Sequence, residues 1–284
     1  MRHAKIRKFF LLIFVFIPAR VFCDTLYGFS DTGILYEINK TTALCTPLRM
    51  PLPDGQYAGL LAVNDKFYTF DGTSGKFYRF GLASGDEIHL GTTSHGNLGG
   101  MGIRPTDGQS FIAVGNYIGK LDVNNGNIYS LVDVTGPQGQ EGGRIIDITF
   151  EANGTNRIIT WSGSPSSWTG ISWGVDLITG VVPPNSSFFY GCCRRLHAIA
   201  VGQNAENIWL AGGSGIVGTQ PPWTSNYVNL LKFINNNSIE YYPQFRDSSN
   251  ALVPIAALAF NVELDTNTID EGAYHHMDKA IVYF

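Results

Sequence analysis

The residues able to do chemistry are few and far apart. Asp147 interrupts the apolar run Ile145-Ile146-Asp147-Ile148, and His197 interrupts Leu196-His197-Ala198-Ile199. A carboxylate and an imidazole in apolar surroundings could act as an acid/base pair or ligate a cation. No neighbouring residue orients the two or supplies a nucleophile. Internal hydrogen bonding is therefore the plainer expectation, with a hydrolase or lyase site at Asp147 and His197 as the alternative. An axial metal ion held by this pair is the one cofactor the sequence raises. Asp122-Val123-Asn124-Asn125-Gly126 opens like a calcium loop, but the acid near its far end, Asp133, belongs to the next connection, so the segment reads as a hairpin turn. Asp265, Asn267, Asp270 and Glu271 fit a solvated loop better than a calcium site, and His275-His276 with Asp278 is a thin set for a metal. The sequence has no serine elbow, phosphate loop or zinc-spaced cysteine set. The balance leans away from an enzyme.

A binding role has more to draw on. Trp168 lies in Ser164-Pro165-Ser166-Ser167-Trp168-Thr169-Gly170 and Trp223 in Thr219-Gln220-Pro221-Pro222-Trp223-Thr224. A tryptophan among small polar residues can stack on a sugar ring or anchor a protein partner, although it can equally pin its own loop. Arg49, Arg144, Arg194 and Arg195 fall between predicted strands, where they could attract an anionic ligand or stay solvated. Trp168, Trp223, Arg144, Arg194 and Arg195 are the expected contact residues. Asn39, Asn153, Asn185 and Asn236 each begin an Asn-x-Ser/Thr sequon, and Asn39, Asn153 and Asn236 fall in turns expected on one face. Asn-rich tight turns also create such triplets by chance.

The elements that must position these residues recur about every 40 to 50 positions. Leu26-Tyr27-Gly28-Phe29, Gly33-Ile34-Leu35-Tyr36-Glu37-Ile38 and Ala43-Leu44-Cys45-Thr46 form one copy. Lys66-Phe67-Tyr68-Thr69-Phe70, Gly75-Lys76-Phe77-Tyr78-Arg79-Phe80 and Glu87-Ile88-His89-Leu90 form the next. Short apolar runs with small residues mark the innermost strands: Gly59 to Val63, Gly100 to Ile103, Ile145 to Phe150, Leu196 to Val201 and Ile255 to Phe260. The first outer set lacks an inner strand before it, and the last inner strand lacks a full outer set after it. Joining them closes a ring and removes exposed sheet edges.

The strand-turn-strand signatures, among them Lys120-Leu121-Asp122-Val123-Asn124-Asn125-Gly126-Asn127-Ile128, resemble those of secreted β-propellers in the quinoprotein-like, YVTN and NHL superfamily. The resemblance spans nearly all of the chain after residue 23. It implies an all-β propeller of about five four-stranded blades, with N- and C-terminal strands sharing one, or six if Ala280 to Phe284 adds a strand. A β-sandwich is the alternative that the regular period disfavours. Such a scaffold hosts enzymes, lectins and protein-binding modules alike.

Within a blade, the first-to-second and third-to-fourth turns share one face of the disc. The second-to-third loop and the link to the next blade share the other. Asn64-Asp65, Asn124-Asn125-Gly126, Thr179-Gly180 and Asn235-Asn236-Asn237 are short connections of the first kind. The stretches Ser162 to Ser172, Gly212 to Tyr227, Asp133 to Arg144 and Pro183 to Arg195 are longer ones of the second. Long loops on one side of a rigid scaffold are where binding resides, which favours a protein or carbohydrate partner there.

The N-terminus has the form of an export signal. Arg2, Lys5, Arg7 and Lys8 precede an apolar run from Phe9 to Ile17, about half the ~20 residues that span a bilayer. Residues 1–23 are expected to leave and 24–284 to form a single, monomeric domain that is secreted, extracellular or periplasmic. A lipid anchor at Cys23 is disfavoured by bulky Val21 and Phe22. The net charge of −4 gives no basis for binding nucleic acid, and no later segment has the length and apolarity of a membrane span. Cys45, Cys192 and Cys193 then remain, an odd number, packing plainly or forming one bridge to Cys45.

Overall fold

The computed structural model describes residues 25–30, 32–49, 52, 57–82, 86–134, 144–161, 169–190, 194–202, 208–214, 229–235, 238–262 and 264. Alternating and continuous apolar runs become strands throughout, and no helix occurs among the described residues. The chain starts with β1 (Leu26–Ser30), β2 (Leu35–Ile38) and β3 (Cys45–Pro47). The first complete sheet is β4 (Tyr57–Val63), β5 (Lys66–Asp71), β6 (Lys76–Phe80) and β7 (Ile88–Thr92). The second is β8 (Leu98–Ile103), β9 (Ser110–Val114), β10 (Tyr117–Leu121) and β11 (Ile128–Asp133). The third is β12 (Arg144–Phe150), β13 (Asn156–Trp161), β14 (Thr169–Trp173) and β15 (Ser187–Tyr190). The fourth is β16 (Arg194–Val201), β17 (Ile208–Ser214), β18 (Asn229–Asn235) and β19 (Ser238–Gln244). Strand β20 (Ile255–Phe260) then pairs antiparallel with β1, giving the closing sheet the order β20-β1-β2-β3.

The ring is closed as the repeat requires. Each innermost strand packs on the next, β4 on β8, β8 on β12, β12 on β16, β16 on β20 and β20 back on β4. The core is accordingly five seams between neighbouring sheets, not one central mass. At the seam between the closing and first sheets, Phe29, Phe67 and Phe80 stack with centroids 5.6–5.7 Å apart. Between the third and fourth, Ile159, Ile171, Leu196, Ile199 and Leu210 interdigitate. Each sheet buries one face in each of two seams, which is why a single repeat could not stand alone.

A second contact crosses from the last inner strand to the first sheet. Asn64 N–H donates to Val262 O, Val262 N–H to Ala62 O, and Leu264 N–H to Asn64 Oδ1, while Asn261 and Asp65 bond through their side chains. The end of the closing strand is thus tied to the first sheet as well as to β1.

All five innermost strands carry a β-bulge at the same level. Against their partner strands the register shifts at Ala58/Leu61, Leu98/Met101, Ile145/Asp147, Leu196/Ala198 and, on β20, opposite Phe29/Ser30. An extra residue at a bulge increases local twist, the distortion that strands converging on an axis need. The predicted inner strands end where the observed ones do, and four of the five begin one or two residues earlier than predicted.

The third-to-fourth turns rivet neighbouring sheets together. Asp122 Oδ1 accepts Asn124 N–H, and Asp176 Oδ1 accepts Ile178 and Thr179 N–H, folding each turn on its own side chain. A methyl group added to Gly180 would lie 1.8 Å from Asp133 O, at the end of the previous sheet's outermost strand. The Asn39–Ala43 turn likewise meets Arg246, which follows β19.

Two connections differ from the expectation. Strand β15 starts at Ser187, so Pro183 is not part of a link between sheets; residues 174–186 join β14 to β15 on the face of short turns. Their length is taken up by packing: Asn156 Nδ2 donates to Val175 O, Val175 N–H returns to Asn156 Oδ1, and the Asp176 turn docks on β11. Cys45 is buried and free, which corrects the proposed bridge to it, and burial pushes its thiol up to about 12. Cys192 and Cys193 lie outside the described residues.

Candidate functional site

Strand β12 carries Asp147 to the hub of the ring, at the second position of its bulge, level with Leu60, Gly100, Ala198 and Ala257 on the other inner strands. Its carboxylate spans three of them. Oδ1 accepts Ile148 N–H at 2.8 Å, and Oδ2 accepts Ile199 N–H of β16 at 2.9 Å. On the other side β8 makes room: a methyl group on Gly100 would sit 1.5 Å from Oδ1. Asp147 is 3% exposed, and burial pushes its carboxyl well above the ordinary range, although the two N–H groups draw it partly back. Both oxygens are engaged by backbone and the group does not reach solvent, so it matches the internally bonded expectation and gives a substrate no access.

His197 is the extra residue of the β16 bulge, one position before Ala198. The fold therefore brings Asp147 and His197 onto adjacent inner strands at neighbouring levels; the His197 side chain lies outside the described residues. No group of three His, Cys, Asp or Glu among the described residues is placed to hold a metal ion.

The heads of the same two strands hold the arginines. Arg144 is the first residue of β12, and Arg194 and Arg195 are the first two of β16. Arg144 is exposed, and its Nη2 donates to Leu98 O at 3.3 Å on β8. Partial desolvation by the surrounding protein lowers its pKa. No carboxylate among the described residues pairs with it. Arg49 behaves differently. Its side chain, 3% exposed, bonds Gly81 O, Asp86 and Glu87 and lies over the Phe80 ring. The idea that Arg49 attracts a ligand is thereby corrected: its guanidinium, just past β3 of the closing sheet, is committed to the β6–β7 turn of the first complete sheet.

A further cluster escaped the sequence reading. Arg157 Nε donates to Glu151 Oε1 at 2.6 Å, and its guanidinium lies over Trp173 of its own sheet and Phe233 of the next. Trp173 is half-buried here and Trp209 is buried, both in strands. Trp161 is likewise in a strand. Trp168 and Trp223 lie outside the described residues. Asn39, Asn153 and Asn185 are exposed in connections of the short-turn face, with Asn185 joining the other two because of the 174–186 placement. Asn236 lies outside the described residues.

Five four-stranded antiparallel sheets, closed around a hub by strands from both ends of the chain, are a five-bladed β-propeller. The chain is similar in fold to a protein in a crystal structure of the nidogen/laminin complex, at 12% identity and a TM-score of 0.50, over 83% of this chain and 97% of that one. It also matches Kuenenia stuttgartiensis hydrazine synthase at 13% identity and a TM-score of 0.44, over 82% of this chain and 70% of that one. YCF48 from Cyanidioschyzon merolae matches at 14% identity and a TM-score of 0.40, over 66% and 61% respectively. No protein-family model and no curated protein matches the chain. No helix among the described residues is long and apolar enough to cross a membrane.

Proposed function

We propose that this chain is an exported, non-catalytic binding protein, residues 1–23 acting as a signal and 24–284 as a monomeric propeller of the quinoprotein/YVTN/NHL-like kind. It binds a glycan or a protein through the face where blades link. The observation that carries this reading is where the connections leave the strands. Residues 134–143, 162–168 and 215–228 all join described strand ends on that face, whereas opposite them the connection 174–186 is tied to its own blade at Val175 by Asn156. A rigid ring presenting loops on one side is the usual architecture of a binding surface. The complex that holds the nidogen/laminin structure agrees with a protein-binding use of the fold. Trp168, Trp223, Arg144, Arg194 and Arg195 are the proposed contacts. A hydrolase or lyase built on Asp147 and His197 is the weaker reading, because the carboxylate is sealed in the hub.

The test is binding of the labelled chain to a glycan array and to an extracellular-protein array. Trp168→Ala with Trp223→Ala should remove the signal, while Asp107→Ala on the opposite face should not. Retention of all binding by the double tryptophan variant would sink the assignment.

A further inference from the structure

Two motifs that the binding role leaves unused lie on the face of short turns. Asn39-Lys40-Thr41 joins β2 to β3, and Asn153-Gly154-Thr155 joins β12 to β13. Both asparagines are exposed. Each folds the chain on its own side chain. Asn39 Oδ1 accepts the N–H groups of Thr41 and Thr42 at 2.9 and 3.0 Å, and Asn153 Oδ1 accepts that of Thr155 at 2.8 Å. A carboxamide is planar, so an oxygen held against the turn aims Nδ2 away from it, and neither Nδ2 has a partner among the described residues. These bonds stay within the triplet or reach only the next residue. The arrangement needs no neighbouring blade and is open to a chain that has yet to fold. Other asparagines lack one part of it. Asn125 makes the same turn on Asn127 N–H at 2.8 Å, but residue 127 has no hydroxyl and the Asn125 Nδ2 donates to Asp122 Oδ2 at 2.7 Å. Asn185-Ser186-Ser187 has the hydroxyl but no such turn among the described residues. Asn185 is left-handed at φ of +59°, Ser186 is buried with its hydroxyl on Pro183 O, and Ser187 Oγ bonds Ser172 Oγ at 2.9 Å within the sheet.

Resting on the export half of the reading above, we infer that Asn39 and Asn153 are N-glycosylation sites and that Asn185 is not. The donor class is an oligosaccharide joined through diphosphate to a polyprenyl lipid. Nδ2 forms a bond to C1 of the first sugar, and the bond from C1 to the diphosphate oxygen breaks. The diphosphate leaves with that electron pair, and Nδ2 gives up one proton to a base of the transferase. The hydroxyl that the motif requires two residues on belongs to Thr41, which is exposed, and to Thr155, which is half-buried. Both sugars stand on the face opposite the connections proposed to bind a ligand, so they cover one side of the disc and leave the other open.

The experiment takes the full chain as its own cells make it, from inside and outside alike. Its peptides are mapped before and after peptide N-glycosidase, which turns each sugar-bearing Asn into Asp. Asn39 and Asn153 should appear as Asp only after the enzyme, with Asn125 and Asn185 as Asn throughout. Thr41→Ala and Thr155→Ala should each abolish the sugar at its own site. Melting curves of the deglycosylated variants should match the wild type treated alike, because the turns use the backbone N–H of residues 41 and 155. An exported chain, shorn of residues 1–23, with Asn39 and Asn153 bare overturns the inference and leaves export standing. A chain that keeps residues 1–23 and carries no sugar overturns both. Conversion of Asn185 as complete as that of Asn39 overturns the selection by local turn, and sugar retained at Asn39 in Thr41→Ala overturns the Asn-x-Thr requirement.

Discussion

Asp147 of the third blade and Ile199 of the fourth are joined by a hydrogen bond from the Ile199 N–H to the Asp147 carboxylate at 2.9 Å, buried at the hub. Asp147 is thus a side-chain strut between two inner strands that have no backbone ladder to each other. A charged or proton-bearing group here is an unusual choice, because the equivalent positions are Leu60, Gly100, Ala198 and Ala257. Its burial has consequences that stability measurements can read.

The first concerns pH. Burial raises the Asp147 pKa, so the folded chain holds this proton more tightly than the unfolded chain. The contribution of the group is complete below the unfolded value of about 4 and is lost as pH rises through the folded value. Asn at this position keeps one acceptor but turns an amide N–H₂ toward the other backbone N–H, costing about 1–3 kcal/mol at low pH. Urea melts from about pH 4 to pH 8 should show the advantage of the wild type over Asp147→Asn shrinking with rising pH. A constant difference across that range would refute the titration of Asp147 within the hub.

The second concerns Gly100. Its missing side chain is the space that Oδ1 of Asp147 occupies, at 1.5 Å from where a methyl group would lie. Gly100→Ala should destabilise by at least the 1–3 kcal/mol or so typical of overpacking. In an Asp147→Ala background the same change should cost much less, giving strong coupling in a double-mutant cycle. Additive effects would mean that the two residues do not share the space.

Much of this was legible in the sequence, for a reason that the seams make clear. Apolar runs such as Ile145 to Phe150 stay buried on both sides of a sheet, so their pattern survives averaging. Strand starts were less visible because the bulges at Gly59, Gly99 and Ile146 break the pairing just where the apolar run thins. Asp147 stood out as an anomaly, but its partner is a backbone N–H of Ile199, and backbone donors leave no mark in side-chain spacing. The placement of Pro183 failed because the third-to-fourth turn was expected to be short, at Thr179-Gly180, whereas it runs on to Ser186 and is pinned by Asn156 through contacts 19 residues away. Arg157 was missed similarly, since its two aromatic partners come from different blades.

That arginine yields a third prediction. Glu151 and Arg157 are paired with side chains only 8% and 12% exposed, so removing one leaves the other buried and unpaired. Glu151→Ala should cost about 3 kcal/mol, well above a surface pair. Replacing both, as Glu151→Leu with Arg157→Met, should recover a large part of that loss, because apolar pairs of similar volume often match a buried ion pair. Chemical denaturation of the three variants decides it; a single-variant cost near zero would show the pair to be solvated.

Three glycines separate backbone strain from docking between blades. Gly96 has no neighbour within 4 Å of an added methyl group and an ordinary backbone, so Gly96→Ala should be neutral or stabilise by up to about 1 kcal/mol through the unfolded chain. Gly115 has equally open space but φ of +62°, so Gly115→Ala isolates the left-handed penalty, about 1–2 kcal/mol. Gly180 combines φ of +73° with the contact to Asp133 O on the preceding blade. The excess cost of Gly180→Ala over Gly115→Ala therefore measures how tightly the Asp176 turn is seated on β11. If the third-to-fourth turns rivet the ring, that excess is positive and accompanied by faster amide exchange in β11 and β15. Equal costs for Gly180→Ala and Gly115→Ala would mean that the turn can lift away freely, leaving the seams alone to hold adjacent blades in place.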